Sequence, residues 1–177
     1  MDAKELYSGI AEDFNLRGFK DEWEFEGQEH IEESFFAKNN GLMVDNSENI
    51  DYIYTAVFPS ERVLKYLVDE GREDSLLIIH HPKDWDISRD GSWIEMDPEL
   101  LAGLAKKRIS IYCMHAPLDR NSKYSTSVNL ARALGFEEPF QGIYHEQGVL
   151  TKGVSQNVRV LSEHFTEVVG HKTSLYR

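Results

Sequence analysis

Two histidines stand side by side at His80-His81, a third follows at His115, and Asp119 comes four residues after that. Imidazole and carboxylate together suit zinc, iron, manganese or nickel, and imidazole also moves protons near neutral pH. Cys113 is the single cysteine in the chain, which argues against an iron–sulfur cluster. Both histidine groups close an apolar run. Leu76-Leu77-Ile78-Ile79 leads into His80-His81-Pro82, and Ile109-Ser110-Ile111-Tyr112-Cys113-Met114 leads into His115. Continuous apolar runs of this length are predicted to be buried strands, and the carboxyl ends of buried parallel strands are where ligand sites form.

If the two strands are neighbours, as a right-handed crossover predicts, three imidazoles and a carboxylate converge at one sheet end. Adjacent residues of an extended segment point to opposite sides, so an undistorted strand does not offer both His80 and His81 to one ion. Two ions roughly 3.5–4 Å apart, bridged by a carboxylate or hydroxide, can take one each. A turn forced by Pro82 leaves a one-ion site open. In either case water, substrate or further ligands must complete the coordination. The plainer readings are a polar cap for a strand-end histidine and a core position for Cys113. Trp85 and Trp93 fit a pocket mouth or loop anchors. His145, Glu146, His164 and His171 read as surface residues, any one of which can complete the site. Asp84 and Asp86 are candidates for orienting the imidazoles.

The elements that must position these groups follow from periodicity. Leu6, Ile10 and Phe14 predict an opening amphipathic helix over residues 2–16. The acidic stretch 17–33, with Trp23 and Phe25 in it, fits no element. Asn39-Asn40-Gly41 signals a turn before Leu42-Met43-Val44. Residues 51–57 read as a strand, and Ser60 opens a helix that Gly71 stops. After the first histidine strand, 82–96 reads as a loop. Asp97-Pro98 then opens a helix ending in Lys106-Lys107-Arg108. His115 to Asp119 reads as a loop, 125–134 as a helix, the neighbourhood of Val149 as a strand, and 155–169 as a helix. Strand and helix alternate, so the fold class is α/β, a mixed, largely parallel sheet flanked by helices. Residues 1–150 are expected to form the metal-binding lobe, and 151–177 the start of a second lobe or a C-terminal helix.

Bulk properties exclude several functions. A formal net charge of −12 leaves neither nucleic acid nor an anionic membrane surface as an expected partner. No run of about 18 apolar residues occurs, so no membrane span is expected. No apolar leader follows Met1, and one cysteine suits a reducing compartment, so a cytoplasmic protein is expected.

Asn40-Gly41-Leu42-Met43-Val44, Leu77 to Pro82, Ile111 to Asp119, and Asn129-Leu130-Ala131-Arg132-Ala133-Leu134-Gly135 together resemble the NIF-three-like dinuclear metal-centre family. Its members are often labelled GTP cyclohydrolase I type 2 homologues. The resemblance runs from about Asn39 to Gly148. It implies an α/β fold of two similar lobes, a toroidal hexamer of identical chains, and a centre of two divalent ions drawn from zinc, iron, manganese, nickel and cobalt. By motif, His80, His81 and Asp119 are implied as ligands, and His115 as a ligand or catalytic proton shuttle. The chain departs from the family at three places. The acidic insert precedes residue 39, and Val57-Phe58-Pro59 stands where Leu-Asp is usual. At the end, Gly170-His171 runs to Arg177 without the glutamate of a late Gly-His-x-x-x-Glu-like motif. That reads as a fragment or a shortened relative with a differently closed centre.

The function expected from this is metal-dependent hydrolysis of a nucleotide-like or small heterocyclic substrate. No glycine-rich phosphate cradle is visible, so GTP itself rests on the family label alone. The alternatives are a non-catalytic metal-binding or metal-delivery protein, and an interaction scaffold.

Overall fold

The computed structural model describes residues 1–26, 29–86, 91–121, 123–137, 141–143, 148–152 and 157–174. These fall into two units, Met1–Pro117 and Leu118–Arg177. The first contains, in chain order, α1 (Ala3–Asp13), β1 (Gly41–Val44), β2 (Tyr52–Ala56), α2 (Glu61–Glu70), β3 (Ser75–Ile79), β4 (Asp84–Asp86), β5 (Ser92–Ile94), α3 (Pro98–Lys106) and β6 (Ile109–Cys113). Short 3-10 turns at Leu16–Gly18 and Glu33–Ala37 join α1 to β1.

The two histidine-ended runs are adjacent parallel strands. Ser75 of β3 lies opposite Ile109 of β6, and Ile79 opposite Cys113. The sheet order is β1-β6-β3-β2, with β2 parallel to β3 and β1 antiparallel to β6 at one edge. This is the mixed, largely parallel α/β sheet expected from the sequence. A clamp sets the register at the end away from the histidines. Asp74 and Arg108, the residues before β3 and β6, both take left-handed backbone. Arg108 Nε and a terminal nitrogen donate to the two Asp74 carboxylate oxygens at 2.6 and 2.8 Å, a bidentate pairing that also holds the Asp74 carboxyl below its usual range.

The sheet is buried on both sides at its centre. Leu77, Ile79, Ile109, Ile111 and Cys113 meet Leu64 and Leu67 of α2 and Leu101 and Leu104 of α3 in the main core. On the opposite face Tyr112 packs on Tyr7 of α1, ring centres 5.7 Å apart. Each fully buried aliphatic chain contributes about 1.5–3 kcal/mol relative to exposure, so the two histidine strands are among the most firmly held elements of the unit. Side chains cap the helices as the sequence indicates: Ser60 accepts from the Val63 amide, and Asp97 from that of Glu99.

Two local readings change. Residues 82–96 contain a hairpin, β4 paired antiparallel with β5, Trp85 opposite Trp93. Ala116–Asp119, expected as a loop, is a single helical turn, α4, with Pro117 in its first turn where a missing amide costs nothing. The second unit contains α5 (Thr126–Ala133), a β7 (Gln141–Ile143) and β8 (Gly148–Leu150) hairpin, and α6 (Val158–Val169). No helix among the described residues is long and apolar enough to cross a membrane.

Candidate metal centre

The ends of β3 and β6 bring His80, His81 and His115 together. Main-chain bonds carry the pairing past the strands: the His80 and His81 amides donate to Ala56 and Val57 carbonyls, and the Met114 amide to that of Ile79. The three ring centres form a near-equilateral triangle, 4.5 Å (His80–His81), 5.0 Å (His80–His115) and 4.9 Å (His81–His115). One ligand atom from each ring lies within 4.8 Å of the others. The His80 and His81 ring centres lie 4.5 Å apart, so strand alternation does not send the two rings to opposite faces.

The spacing can be tested against a single ion. With the ion about 2.1 Å from each ring nitrogen, and so about 3.2 Å from each ring centre, angles from octahedral to tetrahedral put the ring centres about 4.5–5.2 Å apart. All three observed separations fall in that interval. A three-imidazole site for one divalent ion therefore fits this arrangement.

The protonation pattern also suits ligation. His80 Nδ1 lies 3.0 Å from the Met114 carbonyl, which can only accept, so Nδ1 carries the proton and Nε2 keeps its lone pair. His115 Nδ1 lies 2.9 Å from an Asp21 carboxylate oxygen, so Nδ1 is the donor and the neutral ring has its lone pair on Nε2. Nδ1 of His81 is buried without a hydrogen-bond partner, a polar atom left for a ligand. Burial, followed by the neighbouring His80 and His115, lowers the His81 pKa to about 4, so the ring is neutral at pH 7.

Aromatic rings wall the cluster. Phe58 stacks on His81 at 4.8 Å and 9°. Trp23 stands edge-on to His115 at 5.5 Å and to His81 at 6.1 Å. Trp93 lies 5.3 Å from His81 and packs on Trp23 and Trp85. Trp93 thus borders the site, while Trp85 touches it only through Trp93. Cys113 is fully buried in the core, its thiol pKa raised by burial, and Sγ donates to the His80 carbonyl.

Asp84 accepts from the Trp85 amide, and Asp21, which the sequence does not single out, places a carboxylate against the His115 ring. Asp119 belongs to the second unit, where Thr126 Oγ1 donates to it at 3.4 Å. His164 faces Glu167 on α6, and His171 is exposed. His145 and Glu146 lie outside the described residues.

The family model for Duf34/NIF3 (NGG1p interacting factor 3) matches residues 30–175. Two similar relatives are each named GTP cyclohydrolase 1 type 2 homolog. The one from Pyrococcus horikoshii is 30% identical over 151 residues, 82% of this chain and 51% of the relative. The one from Neisseria meningitidis is 28% identical over 124 residues, 69% of this chain and 47% of the relative. The chain thus spans about half the length of these relatives. Among solved structures, the protein ybgI, described as of unknown function, aligns with a TM-score of 0.68 at 22% identity, covering 97% of this chain and 62% of that one. A protein from Thermus thermophilus, TTHA1606, aligns with 0.67 at 21%, covering 97% and 63%. These two likenesses concern the fold.

Proposed function

The chain belongs to the Duf34/NIF3 family, and from that membership and the imidazole cluster we propose that it binds a divalent transition metal through His80, His81 and His115 and acts as a metal-dependent hydrolase. The observation that carries the reading is the triangle of ring centres, 4.5, 4.9 and 5.0 Å, with one ligand atom of each ring within 4.8 Å of the others, a grouping that could hold a metal ion. Neutral imidazoles suit zinc, iron, nickel or cobalt. A bound divalent ion supplies Lewis acidity, polarising a carbonyl or phosphoryl oxygen and making water a stronger nucleophile near neutral pH.

The chain's own groups do the rest. Met114 and Asp21 fix two of the rings by accepting their Nδ1 protons. Phe58, Trp23 and Trp93 pack around His81 and cover part of its ring, which lowers the local polarity beside the site. The substrate class is a small heterocyclic or nucleotide-like molecule, in keeping with the name carried by the relatives. Asp119 is proposed as a further ligand, able to bridge to a second ion, and a ring-shaped hexamer as the assembly, both on family grounds.

The test is elemental analysis of the purified protein, its mass in solution, and turnover assays on cyclic amides and nucleotides with added zinc, manganese, iron or cobalt. Bound metal with turnover, both lost in His81→Ala, is the expected result. Metal without turnover favours the delivery reading. A protein that takes up no metal refutes the proposal.

A further inference from the structure

We propose that Asp21 is the positioning residue of the imidazole site, fixing the His115 proton on Nδ1 so that Nε2 is presented to the ion as an unprotonated donor. This rests on the metal reading above, but its first test does not need metal. One carboxylate oxygen of Asp21 lies 2.9 Å from His115 Nδ1, and the other accepts from the Ala116 amide at 3.2 Å. An ionised carboxylate only accepts, so both partners must donate, and only one neutral tautomer of His115 satisfies the arrangement. The Asp21 side chain is 10% exposed, and a carboxylate this buried is held only where its hydrogen bonds are met.

The backbone around Asp21 is pinned from the neighbouring turn. Its amide donates to the Lys38 carbonyl at 2.9 Å. Its carbonyl accepts from Asn39 Nδ2 at 3.1 Å, and Asn39 itself holds a left-handed conformation. The carboxylate is therefore fixed in space by a clip across residues 21–39 rather than by its sequence neighbours. Two residues on, the same segment sets Trp23 against His115. A carboxylate behind an imidazole both locks its orientation and raises the basicity of the nitrogen facing the ion.

Asp21→Asn separates this role from simple packing. Its carbonyl oxygen can still take the Ala116 amide proton, but its NH2 then faces His115 Nδ1 and makes that nitrogen an acceptor, which moves the proton to Nε2 and blocks ligation. In metal-free, 15N-labelled protein the imidazole shifts of His115 should report the Nδ1–H tautomer in the wild type and the Nε2–H tautomer in Asp21→Asn. Competition against a chromogenic chelator should show zinc and cobalt affinity about 10–100-fold lower in Asp21→Asn and in Asp21→Ala, with unchanged circular dichroism. A wild-type protein carrying Nε2–H on His115 overturns the proposal, whether or not either variant folds. So does a folded Asp21→Asn with wild-type tautomer and affinity. Should the wild type show Nδ1–H yet take up no metal, the metal reading fails while the orienting role of Asp21 stands.

Discussion

A neutral imidazole is a ligand and a protonated one is not, so what surrounds His81 bears on function as well as stability. Phe58 covers one face, and Trp23, Trp93, His80 and His115 crowd the rest. Burial first, then the two neighbouring histidines, lowers its pKa to about 4 from 6.5, with Asp21 pulling the other way. The consequence for stability has a definite sign. Between pH 6.5 and about 4 the unfolded chain takes up a proton at this position that the folded chain refuses, so stability is full above pH 6.5 and declines as pH falls through that window. In chelator-treated protein the urea midpoint should therefore drop between about pH 7 and about pH 4.5. His81→Phe, which keeps a flat ring beside Phe58, should show a shallower drop. An identical pH dependence in the variant would show that His81 is not the group responsible.

At the level of elements, the departures from expectation have separate physical causes. The α2 stop was read at Gly71, and the helix does end there, but not through left-handed backbone: Gly71 is extended, with φ −64°. The glycine is required because a Cβ there would sit 2.8 Å from the Leu67 Cα and closer still to the Leu67 carbonyl oxygen, against rigid main chain. Gly71→Ala should accordingly destabilise the protein by about 1–3 kcal/mol in equilibrium urea unfolding, the usual cost of forced overpacking; a neutral substitution would mean the helix end relaxes freely. The histidine strands were legible because a continuous apolar run followed by His-His-Pro or His-Ala-Pro carries its meaning locally. Parallel pairing of β3 with β6 then followed from the crossover rule. The β4–β5 hairpin was not legible, since three-residue strands are too short for alternation to register. Asp21 was invisible for another reason: it reaches His115 from 94 positions away, and nothing in an acidic stretch marks which carboxylate will be buried. The insert and Phe58, both departures from the family pattern, wall the imidazoles together with Trp93 of β5.

For the molecule as a whole, the proposed metal binding turns on how many ions would be held and by which unit. Asp21, Trp23, Phe58, His80, His81, Trp93 and His115 all lie within Met1–Pro117, as do all residues of the main core, from Phe35 to Cys113. Asp119, the ligand expected from the family motif, lies in Leu118–Arg177. The three imidazoles thus come from the first unit alone, and a contribution from Asp119 would have to come from the second. Cleaving the chain after Pro117 separates the two arrangements. The first unit keeps its four-stranded sheet, both capped core helices and every group that orients the rings. It should fold, as circular dichroism and a cooperative urea transition would show, and elemental analysis should return about one ion per chain, the three-nitrogen set being sufficient for a divalent site. Any second ion present in the 177-residue protein should be lost with residues 118–177. If the folded first unit instead binds none while the longer chain binds metal, the three imidazoles do not form a sufficient site, and ligation depends on Asp119 or on other groups beyond residue 117.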